Sequence, residues 1–268
     1  MNPRGLFRLS MLALGLVFLY APLVLVVIYS FTASKLATVW AGFSTRWYAA
    51  LFADHAMLSA AWLSVKLAMV SASLALALGT LAGFALARFS VFRGRLLFWG
   101  LILAPLVMPE IVMAISLLLL FVNLGRLTGW PPERGFDTLV IGHVSFALSY
   151  VAVIVAARLS DMDRSYEEAA MDLGATHLKT FFVITLPMIA PALAAGWLLS
   201  FSLSFDDVVT SQFLSAPGST PLPVVVFSSV KLGVSPEINA IGAIGVALVA
   251  LATFAALLFQ KWRAAAIG

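Results

Sequence analysis

The sequence contains no cysteine, few charged residues and only three histidines, and each shortage excludes a class of chemistry. Without cysteine the chain has no disulfide, no thiolate metal ligand and no thiol nucleophile. His55, His143 and His177 are too widely separated to give a metal-binding spacing. No G-x-x-x-x-G-K-[ST] stretch occurs, so the usual phosphate-binding loop for ATP is missing. The sequence therefore indicates no enzyme.

Charge is scarce while apolar residues dominate. Only 10% of the 268 residues are charged and 62% are hydrophobic, whereas a soluble domain carries roughly 25% charged residues. The net charge of +4 is small and the basic residues are scattered, which argues against nucleic acid as a partner. This composition is typical of a membrane protein, with lipid as its surroundings.

Six apolar stretches reach the length of about 20 residues that a membrane-spanning helix needs. They are residues 9–34, 67–87, 96–125, 138–157, 180–205 and 238–260. These runs are continuous rather than alternating, which favours helices over a strand barrel. The sequence predicts an all-α polytopic membrane protein with six transmembrane helices. Residues 208–230 are also uncharged, but four Pro and Gly residues within 217–223 predict an external loop, with a short helix after Pro223.

The distribution of Lys and Arg predicts the orientation. Six spans put both termini on one side, and that side would carry ten Lys and Arg residues against six on the other. Because cytoplasmic loops are enriched in Lys and Arg, both termini are predicted to be cytoplasmic. The fourth connection, between the fourth and fifth spans, then lies in the cytoplasm as well.

That fourth connection concentrates charge, with eight of the 28 charged residues between positions 158 and 179. Ser165 and Glu168 form the S-x-x-E pattern of a capping box, and Gly174 is placed to end the helix. The residues Tyr166, Ala169, Ala170 and Leu173 share one helical face. Such a short helix is marginal alone, and its acidic balance suits a docking protein better than anionic lipid. A solvated helix that only joins two spans is the alternative.

The same segment resembles the EAA motif, E-A-A-x3-G-x9-I-x-L-P, of ABC importer permeases. Seven positions match at the family's spacing: Glu168, Ala169, Ala170, Gly174, Ile184, Leu186 and Pro187. The resemblance implies the type I ABC importer permease fold and a coupling helix that docks on a separate ATPase. The implied ATPase-coupling residues are Ser165, Glu168, Ala169, Ala170, Asp172, Gly174, Leu186 and Pro187.

Four further segments, including "APLVMPEIVMAISLLLLF" and "LPVVVFSSVKLGVSPEINA", resemble the polyamine branch of that family. Within this branch, which serves spermidine and putrescine, the chain is most similar to the second permease subunits of putrescine importers. The resemblance implies a bacterial inner-membrane complex with a second, homologous permease, two copies of a cytoplasmic ATPase and a periplasmic polyamine-binding protein. ATP and Mg²⁺ would bind to the ATPase, and no cofactor to this chain.

The resemblance also divides the chain. Residues 1–64 would hold the first span and an external loop, and residues 65–262 the permease core with a coupling loop at 158–184. Residues 263–268 would form a cytoplasmic tail.

A cationic polyamine needs carboxylates along its path. Glu110 lies inside the third apolar run, directly after Pro109, where the helix is weakened and could open. Asp206 and Asp207 end the fifth run and are the second candidates, with one expected to bond locally. His143 lies within the fourth run and either makes a structural hydrogen bond or lines the path. A secondary transporter driven by an ion gradient is the alternative function, although it leaves the EAA-like segment unexplained.

Overall fold

The computed structural model describes residues 3–89, 91–232 and 235–267, and this part of the chain is built from helices. Before the acidic fourth connection the helices are α1 (Pro3–Tyr29), α2 (Arg46–Ala53), α3 (His55–Arg88), α4 (Arg95–Val107), α5 (Glu110–Thr128) and α6 (Phe136–Asp161). From that connection onward they are α7 (Ser165–Asp172), α8 (His177–Thr180), a π-helical turn (Phe181–Thr185), α9 (Leu186–Phe205), α10 (Val209–Leu214), α11 (Leu222–Leu232) and α12 (Pro236–Ile267).

Among the described residues, five helical segments are long and apolar enough to cross a membrane. They are Phe7–Tyr29, His55–Arg88, Glu110–Thr128, Phe136–Asp161 and His177–Phe205. The sixth predicted span, 238–260, lies within α12. The chain is therefore an all-α polytopic membrane protein, as predicted. The predicted tail begins inside α12 and ends at residue 268, which lies outside the described residues.

The second spanning helix begins earlier than the apolar run suggested. It starts at His55 rather than at residue 67. The Asp54 carboxylate accepts hydrogen bonds from the N–H groups of Ala56 and Met57, at 2.9 and 3.0 Å. These bonds satisfy two free N–H groups of the first turn, so Asp54 fixes the start of the helix. The predicted span began only at residue 67 because the charged Lys66 was taken to interrupt the apolar run.

The third apolar run does not form one continuous helix. Helix α4 ends at Val107, Met108 adopts an extended conformation with ψ of 139°, and α5 begins at Glu110. Pro109 explains the break, because proline disfavours helical geometry at the residue before it. The weakening expected at this place is thus observed, although Pro105 stays inside α4. The break places Glu110 at the first position of a helix.

Residues 208–230 contain two helices rather than one. Helix α11 begins at Leu222, beside the predicted start after Pro223, but α10 was not predicted. Between them the chain turns at Pro217 and Gly218, where Gly218 has a φ of +85°.

The chain forms two compact units, and the larger runs from Ser59 to Val225 with α6 at its centre. Helices α3 and α6 lie so close that side chains would not fit at two glycines of α3. A Cβ atom on Gly79 would lie 2.7 Å from the Cβ of Val151, and one on Gly83 would lie 2.6 Å from the Ala152 carbonyl oxygen. The G-x-x-x-G pattern of α3 is therefore explained by contact with α6.

The smaller unit combines α1 and α2 with α12. Its connecting segment after α1 is held by polar side chains. The Trp47 indole N–H donates to the Thr32 carbonyl at 2.9 Å, and the Ser30 and Tyr48 hydroxyls lie 2.7 Å apart. The Asn239 amide of α12 donates to the Ala37 carbonyl at 3.0 Å.

Candidate functional sites

Helix α7 is started by a residue that the sequence analysis did not choose. The Asp163 carboxylate accepts a hydrogen bond from the Ser165 N–H at 2.9 Å, and this bond lowers the pKa of Asp163. Ser165 is already the first helical residue, and Arg164 precedes it without a capping side-chain bond. The predicted capping box between Ser165 and Glu168 is therefore wrong. A charged carboxylate two residues earlier is a stronger acceptor than the serine hydroxyl.

The end of α7 follows the prediction. Gly174 has a φ of +84°, which a residue with a side chain rarely adopts. Its N–H donates to the Met171 carbonyl at 2.8 Å, and the Ala175 N–H donates to the Ala170 carbonyl at 3.0 Å. This pair of bonds is the Schellman motif. It satisfies two free carbonyls of the helix and stops α7 sharply.

Two faces of α7 have different surroundings. Tyr166, Ala169 and Leu173 are exposed, with Leu173 reaching 90%. On the other side, Glu167 and Ala170 turn toward the protein and are partly buried. Three of the four residues predicted to share one face of α7 are therefore exposed, whereas the fourth, Ala170, points inward. Of the remaining predicted coupling positions, Glu168, Asp172 and Pro187 are exposed, and Leu186 is partly buried.

Glu167 holds α7 against the ends of neighbouring helices within the larger unit. Its carboxylate lies 2.9 Å from Arg88 Nε and accepts from Arg88 Nη2 at 3.2 Å. The Thr185 hydroxyl donates to the same carboxylate at 2.6 Å, and Arg88 Nη1 donates to the Leu159 carbonyl at 2.8 Å. The two charged side chains are only 9% and 12% exposed. We call this group, Arg88, Glu167, Thr185 and the Leu159 carbonyl, the α7 anchor.

Thr185 of the anchor is the last residue of a π-helical turn, Phe181–Thr185. Leu186 begins α9 directly after this turn, and Pro187 is the second residue of α9. In an α-helix, Pro187 would lack its N–H bond to Val183 and its ring would press on that carbonyl. The wider π turn lies where this clash would occur, so the final Leu-Pro of the motif accounts for it.

At the opposite end of α6, the three predicted path carboxylates come together. The Glu110 side chain lies beside Asp207, and Asp206 is close enough to interact with it electrostatically. Asp207 is buried and accepts from the N–H groups of Thr210 and Ser211, at 3.2 and 2.7 Å. It thereby caps α10, while Asp206 and Glu110 are exposed. We call Glu110, Asp206 and Asp207 the acidic cluster.

His143 lies behind this cluster and is completely buried. Its Nδ1 is 2.6 Å from the Ser204 hydroxyl, and its Nε2 is 3.2 Å from the Ser211 hydroxyl and 3.3 Å from Asp207 Oδ2. Both ring nitrogens therefore have partners, on α9 and at the start of α10. For His143 this geometry favours a structural hydrogen-bonding role over a position lining the substrate path. Among the described residues, no group of three His, Asp or Glu side chains could hold a metal ion.

Residues 75–267 match the model of a protein family described as "binding-protein-dependent transport system inner membrane component". The chain belongs to this family. The permease is 56% identical over 248 residues to the putrescine transport system permease protein PotI of Escherichia coli K12, covering 91% of this chain and 88% of that one. It is 42% identical over 227 residues to the spermidine/putrescine transport system permease protein PotC of the same strain, covering 85% and 83%.

Solved structures of other importers share the fold of the permease. A bacterial ABC transporter involved in the import of the acidic polysaccharide alginate has a chain that superposes with a TM-score of 0.74. That match covers 96% of this chain and 95% of the other, at 18% identity. The MetNI methionine ABC transporter gives a TM-score of 0.59 at 16% identity. The permease therefore has the ABC importer permease fold. Because its family consists of transport-system components, it is a transport subunit rather than an enzyme.

Family membership favours the ABC importer over the ion-gradient alternative, because the family consists of components of binding-protein-dependent systems. It also accounts for the EAA-like segment, which the alternative left unexplained.

Two groups of residues in the permease were not predicted from the sequence. The anchor residues Arg88 and Thr185 lie 79 and 18 positions from Glu167, so no local pattern could connect them. The second group is a row of parallel rings on α9, which we call the aromatic row. Trp197 and Phe201 have ring centroids 5.4 Å apart, and Phe201 and Phe205 have theirs 5.8 Å apart. The spacing of four residues was visible in the sequence and could have revealed this row.

Proposed function

We propose that this permease carries a polyamine, putrescine or spermidine, across the bacterial inner membrane as part of an ATP-driven importer. The names of the two relatives support this substrate class. The observation that carries the proposal is the acidic cluster, in which Glu110 and Asp206 remain exposed in an otherwise apolar chain. A charge at the bilayer centre costs about 2.5–3.5 kcal/mol on insertion scales, so such residues are retained for a purpose.

Within the cluster the three carboxylates have different roles. Asp207 is committed to Thr210, Ser211 and His143, and it holds the cluster in place. Glu110 and Asp206 have exposed carboxylates, and they are the groups that would bind an ammonium group. Phe205, directly before Asp206, is the member of the aromatic row next to the acidic cluster. The partly buried rings of this row offer cation–π contacts along α9.

The exposed face of α7 would dock on a separate ATPase. Tyr166 and Leu173 are large apolar side chains exposed at 55% and 90%, and they need a partner to cover them. The implied coupling residues Ser165, Glu168, Ala169, Asp172 and Gly174 belong to the same helix and its end. ATP and Mg²⁺ would bind to that ATPase.

The remaining features of the proposal concern assembly and orientation. Both termini and α7 would face the cytoplasm, which is supported by ten Lys and Arg residues on that side against six on the other. A second, homologous permease would cover the exposed Glu110 and complete the path. Two copies of the ATPase and a periplasmic polyamine-binding protein would complete the complex.

The test is uptake of labelled putrescine into proteoliposomes that contain the purified complex and the binding protein. Glu110→Gln should raise the KM for uptake about tenfold, since a hydrogen bond to a charged group contributes at least that factor. The ATPase should still copurify with this variant. Glu133→Gln, another exposed carboxylate, is the matched control and should leave the KM unchanged. An unchanged KM for Glu110→Gln would contradict the place of Glu110 in the substrate path. Uptake of putrescine without ATP would contradict the proposal that the importer is driven by ATP.

A further inference from the structure

Helix α7 has few contacts of its own. It contains eight residues and buries none of them completely. Two helical turns are not stable in isolation, so something must hold α7 in position when a partner pushes on it. Three polar contacts join α7, or the residue before it, to other elements of the larger unit. These are the Arg88 and Thr185 bonds to Glu167, and a bond from Arg164 Nη2 to the Ala87 carbonyl at 3.2 Å.

Arg88 has more than one partner. It is the last residue of α3, and its Nη1 bonds to Leu159 in the last turn of α6. Carbonyls in the last turn of a helix lack partners within that helix, and Arg88 supplies one. The same side chain therefore joins the ends of α3 and α6 to Glu167. Arg164, by contrast, is exposed, so its bond is open to solvent.

Thr185 connects α7 to the next spanning helix. Its side chain is buried, it is the last residue of the π turn, and α9 begins at the following residue. Helix α9 ends at Phe205, directly before the acidic cluster. One carboxylate thus accepts hydrogen bonds from the end of α3 and from the start of α9.

We propose that the Arg88–Glu167–Thr185 anchor is the positioning element that transmits movement of α7 to α9. If α7 moved without α9, the mostly buried Glu167 carboxylate would lose the hydrogen bond from the Thr185 hydroxyl and keep only Arg88 as its partner. That loss is unfavourable, because a hydrogen bond to a buried charged group is costly to break. The anchor therefore favours joint movement of α7 and the start of α9. This inference rests on the proposed docking of an ATPase on α7.

The test measures putrescine transported per ATP hydrolysed by the complete reconstituted complex. Thr185→Val keeps the shape of the side chain but removes the hydroxyl, and it should lower this ratio about tenfold, the factor expected for a lost hydrogen bond to a charged group. Glu167→Gln should have a similar effect. Thr185→Ser restores the hydroxyl and should restore the ratio. Asp161→Asn, an exposed carboxylate nearby, is the control and should leave it unchanged.

The amount of copurified ATPase separates the possible results. Retained ATPase with a reduced ratio in Thr185→Val, and recovery in Thr185→Ser, would support transmission through the anchor. An unchanged ratio in Thr185→Val would overturn it. Loss of the ATPase from Thr185→Val would overturn it too, because the anchor would then serve docking. Failure of the unaltered chain to retain an ATPase would instead contradict the proposed function.

Discussion

At the α7 end of the larger unit, the Glu167 carboxylate is enclosed by an arginine and a hydroxyl. At the other end, Asp207 is enclosed by two backbone N–H groups and a histidine, while Glu110 and Asp206 stay exposed beside it. Both sites use α6, through Leu159 and His143, which lie about 24 Å apart at 1.5 Å per residue. One end is closed and holds a helix in place, whereas the other leaves two acidic side chains exposed.

The largest effect is expected from breaking the closed part of the acidic cluster. Asp207→Ala should lower the free energy of unfolding by about 3 kcal/mol, because it leaves His143 and two N–H groups buried without their acceptor. Thermal unfolding of the purified chain in mild detergent, followed by tryptophan fluorescence, measures this loss. Asp206→Ala is the matched control and should unfold at the same temperature as the unaltered chain. Equal losses would contradict the distinction between the two neighbours.

A smaller effect is expected at the end of α7. Gly174→Val should weaken binding of the ATPase about tenfold, since a side chain at positive φ costs roughly 1–2 kcal/mol. Gly174→Asn should have less effect, because asparagine tolerates this conformation better than valine. Titration of the purified ATPase onto the permease in nanodiscs gives both affinities. Equal affinities for the valine variant and the unaltered chain would show that the shape of this turn is not needed for docking.

The smallest effect is expected at the start of α7. Asp163→Asn should destabilise only the first turn, because the hydrogen bond from Ser165 remains possible without the charge. The lowered pKa of Asp163 gives the sign of the pH dependence. Its stabilising contribution is present above the pKa of the unfolded chain and is lost as the pH falls through the lower folded value. Hydrogen exchange of the α7 amides across this range should show faster opening at low pH, and Asp163→Asn should abolish that dependence.

Local patterns in the sequence predicted the features that depend on neighbouring residues. The spans follow from continuous apolar runs, and Gly174 could be assigned because a helix end is decided within a few residues. The capping error at Ser165 shows the limit of this approach. Asp163 and Ser165, two positions apart, could each cap the helix, and the charge of Asp163 decided between them. The start of α3 at His55 was missed for a related reason, because the cap by Asp54 outweighed the interruption at Lys66.

Contacts between distant residues could not be predicted in the same way. Glu110 and the adjacent pair Asp206 and Asp207 were chosen as charges at apolar runs, and nothing in their spacing showed that Glu110 meets the pair. Arg88 was counted only as a charge that sets orientation, although it binds Glu167 and the end of α6. Such pairs depend on how α3, α6 and α9 pack, which hydrophobic periodicity alone does not determine.

The two glycines of α3 have a mechanical consequence. Because Gly79 and Gly83 let α3 approach α6 this closely, a larger residue at either position would push the two helices apart. The two glycines thus fix the spacing of α3 and α6, and with it the distance between the helix ends from which Arg88 and Leu159 reach the α7 anchor. Regular α-helical geometry is interrupted elsewhere, at Met108–Pro109 before α5 and in the π turn Phe181–Thr185 before α9.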